Sequence, residues 1–296
     1  MVKMWAYGTT KDHLKTTLDI PFNKRLPSDG LIKFGVEIPT VGPDEVLVKV
    51  DASALNYNSI WSSLAHPIHP MALNAGFVKR NPSYRDHIQD FSIFGSDACG
   101  EIVELGSRVS EFEVGHQVIM HCNIVDTNDP IAQDDGMLSA SQSIWGYESN
   151  FGAFAEYTKV KKTQLLNKPV NLSVSEAASL MLTLSTAYRM LIGKNGARIR
   201  SGETVFIWGA SGGLGTFAIQ LCKNAGCTVV AIVSGKEKEN KARELGADYV
   251  LDRRDGLFNN LVNEDGSPNL VSWGRVKRNL KKMGIPQIDV VFEHVG

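Results

Sequence analysis

Up to about residue 164, apolar positions come in short runs separated by turn residues. Residues 45–50 (EVLVKV) alternate after Gly42-Pro43-Asp44, which reads as a strand leaving a turn. Residues 100–106 (GEIVELG) and 117–121 (QVIMH) repeat that form. Two polar stretches interrupt them, 65–91, rich in Pro, His and Asn, and 123–143. Loops this long inside a compact domain usually serve as binding or lid segments. After residue 172 the period changes. Residues 175–192 (SEAASLMLTLSTAYRMLI) read as one helix, with Ser173 or Ser175 as N-cap and Gly193 as stop. Residues 204–208 are apolar, 216–224 helical, 228–233 apolar, 236–245 helical and 249–251 apolar again. Strand and helix in alternation predict a parallel sheet with helices on its faces. The expected fold class is therefore α/β, with a β-rich domain over 1–172 and a doubly wound parallel-sheet domain over 173–296.

Composition narrows the function without deciding it. At roughly 150 residues per domain, 296 residues suit two domains. Lys plus Arg number 31 and Asp plus Glu 32, so the net charge of -1 gives no electrostatic footprint for nucleic acid. No apolar run approaches the ~18–20 residues of a membrane helix, and the N-terminus is too polar for a secretory signal. Cys99, Cys122, Cys222 and Cys227 are too scattered for a disulfide framework, which suggests a reducing, cytoplasmic setting. Cys222 and Cys227 suit packing better than metal ligation.

The sharpest motif is Gly209-Ala210-Ser211-Gly212-Gly213-Leu214-Gly215, which follows the strand TVFIW and opens a helix. A tight turn, a backbone that a pyrophosphate can touch and helix N-terminal amides together make a dinucleotide cradle. A second strand about 20 residues on strengthens that reading. NAD enzymes place an acid at the tip of this second strand. Here the tip runs into Ser234-Gly235-Lys236-Glu237-Lys238, where Ser234 and Lys238 suit the 2′-phosphate of NADPH; a solvated helix start is the alternative.

Residues 55–61 (LNYNSIW), Gly95-Ser96-Asp97, 144–152 (IWGYESNFG), 185–189 (STAYR), 207–215 (IWGASGGLG) and 291–294 (VFEH) carry a resemblance. The domain order is similar to that of the medium-chain dehydrogenase/reductase superfamily. The motifs resemble the crotonyl-CoA (enoyl-CoA) carboxylase/reductases within it, from about Val41 to the last residue. The run around Glu148 is the most specific of them. The resemblance implies a GroES-like catalytic domain followed by a Rossmann domain. Zinc enzymes of the superfamily carry Gly-His-Glu where this chain has Gly95-Ser96-Asp97, so no metal is expected. It also implies an enzyme in which NADPH reduces an α,β-unsaturated acyl-CoA and the resulting enolate takes CO2, giving an alkylmalonyl-CoA.

By position, Asn58 and Glu148 match the family's CO2-organising residues, Asn58 as an amide donor and Glu148 as acceptor from an ordered water. A turn-capping asparagine and a surface carboxylate are the alternatives, and Asn56 is the weaker candidate. Tyr147 departs from the family's phenylalanine. Its phenol could divert the enolate toward protonation, or could simply bond to loop backbone. Thr186 is a candidate nicotinamide contact. His66, His69, His87 and His121 read as solvated loop residues, and Lys79, Arg80 and Arg85 as solvated or CoA-facing cations. A plain enoyl-CoA or quinone reductase and a silent nucleotide-binding protein remain alternatives, and a homo-oligomer is expected for the full-length protein. Residues 288–294 read as a fourth sheet strand after an insert with a basic helix over 273–282. A complete domain of this kind needs about two further strands, so the chain is expected to stop ~100 residues short, poorly stable and inactive alone.

Overall fold

The structure, a computed structural model, describes residues 3–285 and 287–295; Met1, Val2, Pro286 and Gly296 lie outside them. It divides into two compact units, Met1–Leu182 and Thr183–Gly296.

The first unit begins with β1 (Lys3–Thr10), α1 (Lys11–Asp19), α2 (Pro27–Gly30), β2 (Ile32–Glu37) and β3 (Glu45–Ser53). Next come α3 (Tyr57–Ser63), α4 (Pro70–Arg80), β4 (Phe91–Ile93), β5 (Ala98–Leu105), β6 (Gln117–Met120) and β7 (Asn123–Ile124). It ends with α5 (Pro130–Asp134), β8 (Ser143–Ile144), β9 (Tyr157–Lys161), β10 (Leu165–Asn167) and α6 (Val174–Ala178). An antiparallel sheet in the order β10-β6-β5-β3-β9 forms its centre, beside a smaller sheet, β2-β1-β4. The β3–β5 register sets Val48 opposite Ile102, and both join Val118, Met120 and Trp145 in the core.

The polar stretch 65–91 is not a plain loop. His69 Nδ1 accepts from Ala72 N at 3.2 Å, Pro70 occupies the first turn, and Lys79 and Arg80 close the last turn of α4. Its buried face is only Pro70, Asn74 and Phe77, too sparse to show as a helical period. The stretch 123–143 holds the short β7–β8 ribbon and α5, capped by Asp129.

The helix expected over 175–192 is two helices. Ser173 and Glu176 form a reciprocal capping box on α6, the backbone breaks after Ala178, and α7 (Met181–Leu191) begins. Ala177 and Ala178 are buried with Cys99 and Ile119, so residues 173–182, grouped by sequence with the second domain, fold with the first unit.

The second unit continues through α7 to β11 (Thr204–Trp208), α8 (Gly213–Asn224), β12 (Thr228–Val233) and α9 (Lys236–Glu244). β13 (Tyr249–Asp252), α10 (Leu270–Lys282) and β14 (Val290–Phe292) complete it. All its strand pairs are parallel, in the order β13-β12-β11-β14. That is the doubly wound arrangement, with the order reversing at β11, where ligands of such sheets bind beyond the strand ends. Cys222 and Cys227 belong to its core with Val205, Ile207 and Val229. Among the described residues, no helix is long and apolar enough to cross a membrane.

Candidate active site

In the second unit the site is made of backbone. Gly209 leaves β11 at φ +68, a conformation that favours glycine, and Gly212 N donates back to Gly209 O at 3.0 Å. A Cβ on Gly215 would lie 2.4 Å from Gly209 O and 2.6 Å from Ala210 Cα, so only glycine lets α8 approach the turn this closely. Gly212 is the N-cap of α8 and lies open to solvent with Gly213, between the half-buried Ser211 and Leu214. The first-turn amides of α8 thus open on a concave turn, which fits a pyrophosphate.

Thr183 Cγ2 would lie 3.0 Å from a Cβ on Gly213, so α7 borders the loop, and Thr186 stands about one turn further along the same helix. Sequence reading missed two neighbours. His294 Cε1 would lie 3.4 Å from a Cβ on Gly209, and Arg254 Nη2 2.8 Å from one on Gly235. A guanidinium therefore stands against the strand tip beside Ser234, in bidentate contact with Asp252, while Lys238 is exposed. Only the recurrence of polar residues just past each strand end could have signalled them.

In the first unit the site is made of side chains. The loop after β8 turns back on itself: Glu148 N donates to Ile144 O and Glu148 Oε2 accepts from Ile144 N, both at 2.8 Å. Glu148 Oε1 lies 3.9 Å from Arg80 Nη2, which donates to the buried Ser143 Oγ at 2.9 Å. Arg80 is thus tied to this loop instead of ending in solvent. Tyr147 is half-buried. Burial, then the charge of Glu148, raise its phenol, so it stays a proton donor, and among the described residues its hydroxyl has no hydrogen-bond partner.

Asn150 holds the far end of the loop. Its Oδ1 accepts from Ile93 N and Phe151 N, its Nδ2 donates to Phe91 O, and its backbone N donates to His87 Nδ1 at 3.1 Å. His87 is buried, and burial followed by the charge of Lys159 lowers it well below the usual imidazole range, so it accepts as a neutral ring. The other three histidines expected in solvent also have structural work: His66 stacks on Phe22, His69 caps α4, and His121 Nδ1 accepts from Asn123 N.

Asn58, in the first turn of α3, donates from Nδ2 to Ser96 Oγ at 3.4 Å. The adjoining Gly95 O would lie 1.9 Å from a Cβ on Gly146, whose φ is +68. The segments bearing Asn58 and Glu148 therefore both come up against the Gly95-Ser96-Asp97 segment, at Ser96 and Gly95. Among the described residues, no group of three or more His, Cys, Asp or Glu side chains is placed to hold a metal ion.

Comparison with known proteins gives this geometry a context. The alcohol dehydrogenase GroES-like domain profile matches residues 42–170, and the profile described as zinc-binding dehydrogenase matches 213–296. The crotonyl-CoA reductase of Streptomyces collinus is 38% identical over 262 residues, covering 88% of this chain and 58% of that protein. The 2-octenoyl-CoA carboxylase reductase CinF from a Streptomyces species, solved free and with NADP and 2-octenoyl-CoA, matches at 36% identity and a TM-score of 0.89. That match covers 99% of this chain and 66% of CinF. A variant of the crotonyl-CoA carboxylase/reductase AntE, solved with NADP, matches at 30% identity and a TM-score of 0.77, over 96% of this chain and 68% of AntE.

The chain belongs to the crotonyl-CoA carboxylase/reductase family. It spans less than two thirds of the length of the first of these relatives. Within the family's two-part plan, the glycine loop stands in the parallel-sheet unit, while Asn58, Tyr147 and Glu148 stand in the antiparallel one.

Proposed function

We propose that this chain serves NADPH-dependent reduction of an α,β-unsaturated acyl-CoA, with carboxylation of the resulting enolate to an alkylmalonyl-CoA. The observation that carries the proposal is the meeting of the Asn58 and Glu148 segments at Gly95-Ser96-Asp97. In this reading the first unit, to Leu182, holds the substrate and the second, from Thr183, the cofactor.

Gly209, Ser211, Gly212, Gly213, Leu214 and Gly215 hold the pyrophosphate of NADPH, Ser234 and Lys238 face its 2′-phosphate, and Thr186 approaches the nicotinamide. NADPH, once bound, supplies the hydride that reduces the substrate. The Asn58 amide donates to an oxygen of CO2, a contact that strengthens as carboxylate charge develops. Glu148, with one oxygen engaged by Ile144 N, accepts through the other from a water that orients CO2. The buried Trp145, Gly146 and Phe151 flank Tyr147 and Glu148, which suits a site that keeps bulk water from the enolate. The four cysteines are free thiols, which suits the cytoplasm, and a homo-oligomer fits the family.

A second reading, reduction without carboxylation, is favoured by the protonated phenol of Tyr147, which has no hydrogen-bond partner among the described residues. On the full-length protein, NADPH oxidation with crotonyl-CoA, run with and without bicarbonate and followed by product mass, separates the readings. Ethylmalonyl-CoA supports carboxylation. Butyryl-CoA alone supports the second reading, and no oxidation at all overturns both.

A further inference from the structure

The least ordinary group in the first unit is Asp97. It is fully buried, and among the described residues no cation pairs with it. Buried carboxylates are normally paired, because ionisation away from water is costly. Its surroundings are instead N–H donors. Leu182 N donates to Oδ2 at 3.4 Å, and Met181 N and the Asn56 amide also favour its charged form. Among the described residues, Oδ1 is buried without a hydrogen-bond partner, and so is Asn56 Nδ2. A buried acceptor and a buried donor, close but unmatched, are an arrangement that folded proteins seldom tolerate.

Asn56 matters because of its place. It is the N-cap residue of α3, with extended φ/ψ of -123 and 163, yet its side chain makes no capping bond. The Asp97 carbonyl accepts from Ser53 Oγ at 2.7 Å and from Ala54 N at 3.3 Å, so Asp97 already grips the turn that leads into α3. Ser96, next to it, receives the Asn58 amide.

We propose that Asp97 is a positioning residue for Asn58: as a carboxylate it draws in the Asn56 amide and the Met181 and Leu182 N–H groups, fixing the start of α3, and as an acid it lets Asn56 go. The proposal rests on the reading of Asn58 as the amide that faces CO2. Burial pushes the Asp97 carboxyl up to about 7, while Leu182 N, Asn56 and Met181 N pull the other way, so both forms are populated near neutrality. The titratable group facing it is the Cys122 thiol, which burial and the Asp97 charge push up to about 12, so it stays neutral throughout.

The test has one arm independent of turnover. In the isotope-labelled protein, the Asp97 carboxyl and the Asn56 side-chain amide are followed by NMR across neutral pH, the amide being assigned by its loss in Asn56→Ser. Both resonances are expected to move together with a midpoint near 7. In Asn56→Ser the Asp97 midpoint is expected to rise, because one stabilising donor is gone. An Asn56 amide that stays fixed while Asp97 titrates, or an Asp97 that does not titrate near neutrality, overturns the proposal. Neither readout depends on an Asp97 variant folding.

The second arm reads, on the full-length protein, the product ratio with crotonyl-CoA at a constant concentration of dissolved CO2. About tenfold more Asp97 is ionised one pH unit above its midpoint than one unit below. The carboxylated fraction is therefore expected to climb with pH in the wild type and to lie flat in Asp97→Asn; equal slopes overturn the proposal. A wild type that oxidises no NADPH with crotonyl-CoA refutes the functional reading, and the Asn56 resonance then still decides the Asp97–Asn56 link.

Discussion

The candidate regions of the two units are built in opposite ways. In the parallel-sheet unit, the groups that would face a pyrophosphate are contiguous, from Gly209 to Gly215, and act through their backbone. In the antiparallel unit, the surroundings of Asn58 and Glu148 come from segments far apart in sequence, around residues 56, 80, 96, 143 and 150. The first kind of site tolerates almost no added atom. The second tolerates side-chain change only where no buried partner is stranded.

The largest effect should come from adding atoms to the backbone site. In Gly215→Val the new side chain meets Gly209 O and Ala210 Cα, neither of which can rotate away. Loss of ~3 kcal/mol or more, and NADPH binding at least ~10-fold weaker, are expected by thermal denaturation and fluorescence titration. Gly213→Ala meets only the Thr183 methyl and should stay within ~1 kcal/mol of the wild type. Equal losses in the two variants would break the distinction between them.

Next comes the side-chain site. Asn150→Ala strands Ile93 N, Phe151 N and Phe91 O in a buried setting. It should cost about 2–4 kcal/mol in urea denaturation while leaving NADPH affinity unchanged. A matching loss of NADPH affinity would show that the two parts do not fail separately.

The pH dependence of stability gives a smaller effect. His87 stays neutral in the fold because burial and Lys159 lower it. As pH drops below the ordinary imidazole value of 6.5, the unfolded chain takes up a proton that the folded one refuses. The stability contributed by His87 is therefore complete above that value and declines toward about 3, by at most ~1.4 kcal/mol per pH unit. Asp97 runs the other way: its contribution is complete below the ordinary 3.8 and is lost as pH rises through about 7. Melting temperatures from pH 7 to 4 should fall less steeply in His87→Asn than in the wild type. An unchanged acid limb would remove His87 from the account.

The smallest effect is chemical. Tyr147→Phe removes a hydroxyl that has no partner among the described residues and should raise the alkylmalonyl-CoA fraction about twofold at fixed bicarbonate. An unchanged ratio would mean that the phenol does not reach the enolate.

Much of the second unit was legible because its signals are local. Apolar runs at 204–208 and 228–233 and a glycine loop between strand and helix leave few alternative folds. In the first unit, the strands at 45–53, 98–105 and 117–120 were legible for the same reason. The helix α4 was not, since Pro70, Asn74 and Phe77 are too few to mark a face, and His69 in isolation does not announce a cap. The break between α6 and α7 was hidden as well. Every residue from 175 to 192 is an acceptable helix former, and the interruption comes with the packing of Ala177 and Ala178 on Cys99 and Ile119.

The amino-acid sequence by itself determined the α/β class, the turn in which Gly209 and Gly215 must be glycine, and the candidate roles of Asn58, Tyr147 and Glu148. The class and the turn depend on period and spacing, which neighbouring residues set; the candidate roles are what the family resemblance implies. Tertiary structure alone decided that Arg80 reaches Ser143 and Glu148, that His87 is a neutral acceptor for Asn150, and that Asp97 is buried against Asn56 without a cation. Protonation and hydrogen bonding depend on which distant groups burial brings together, and a side chain's identity does not say how much water it will keep.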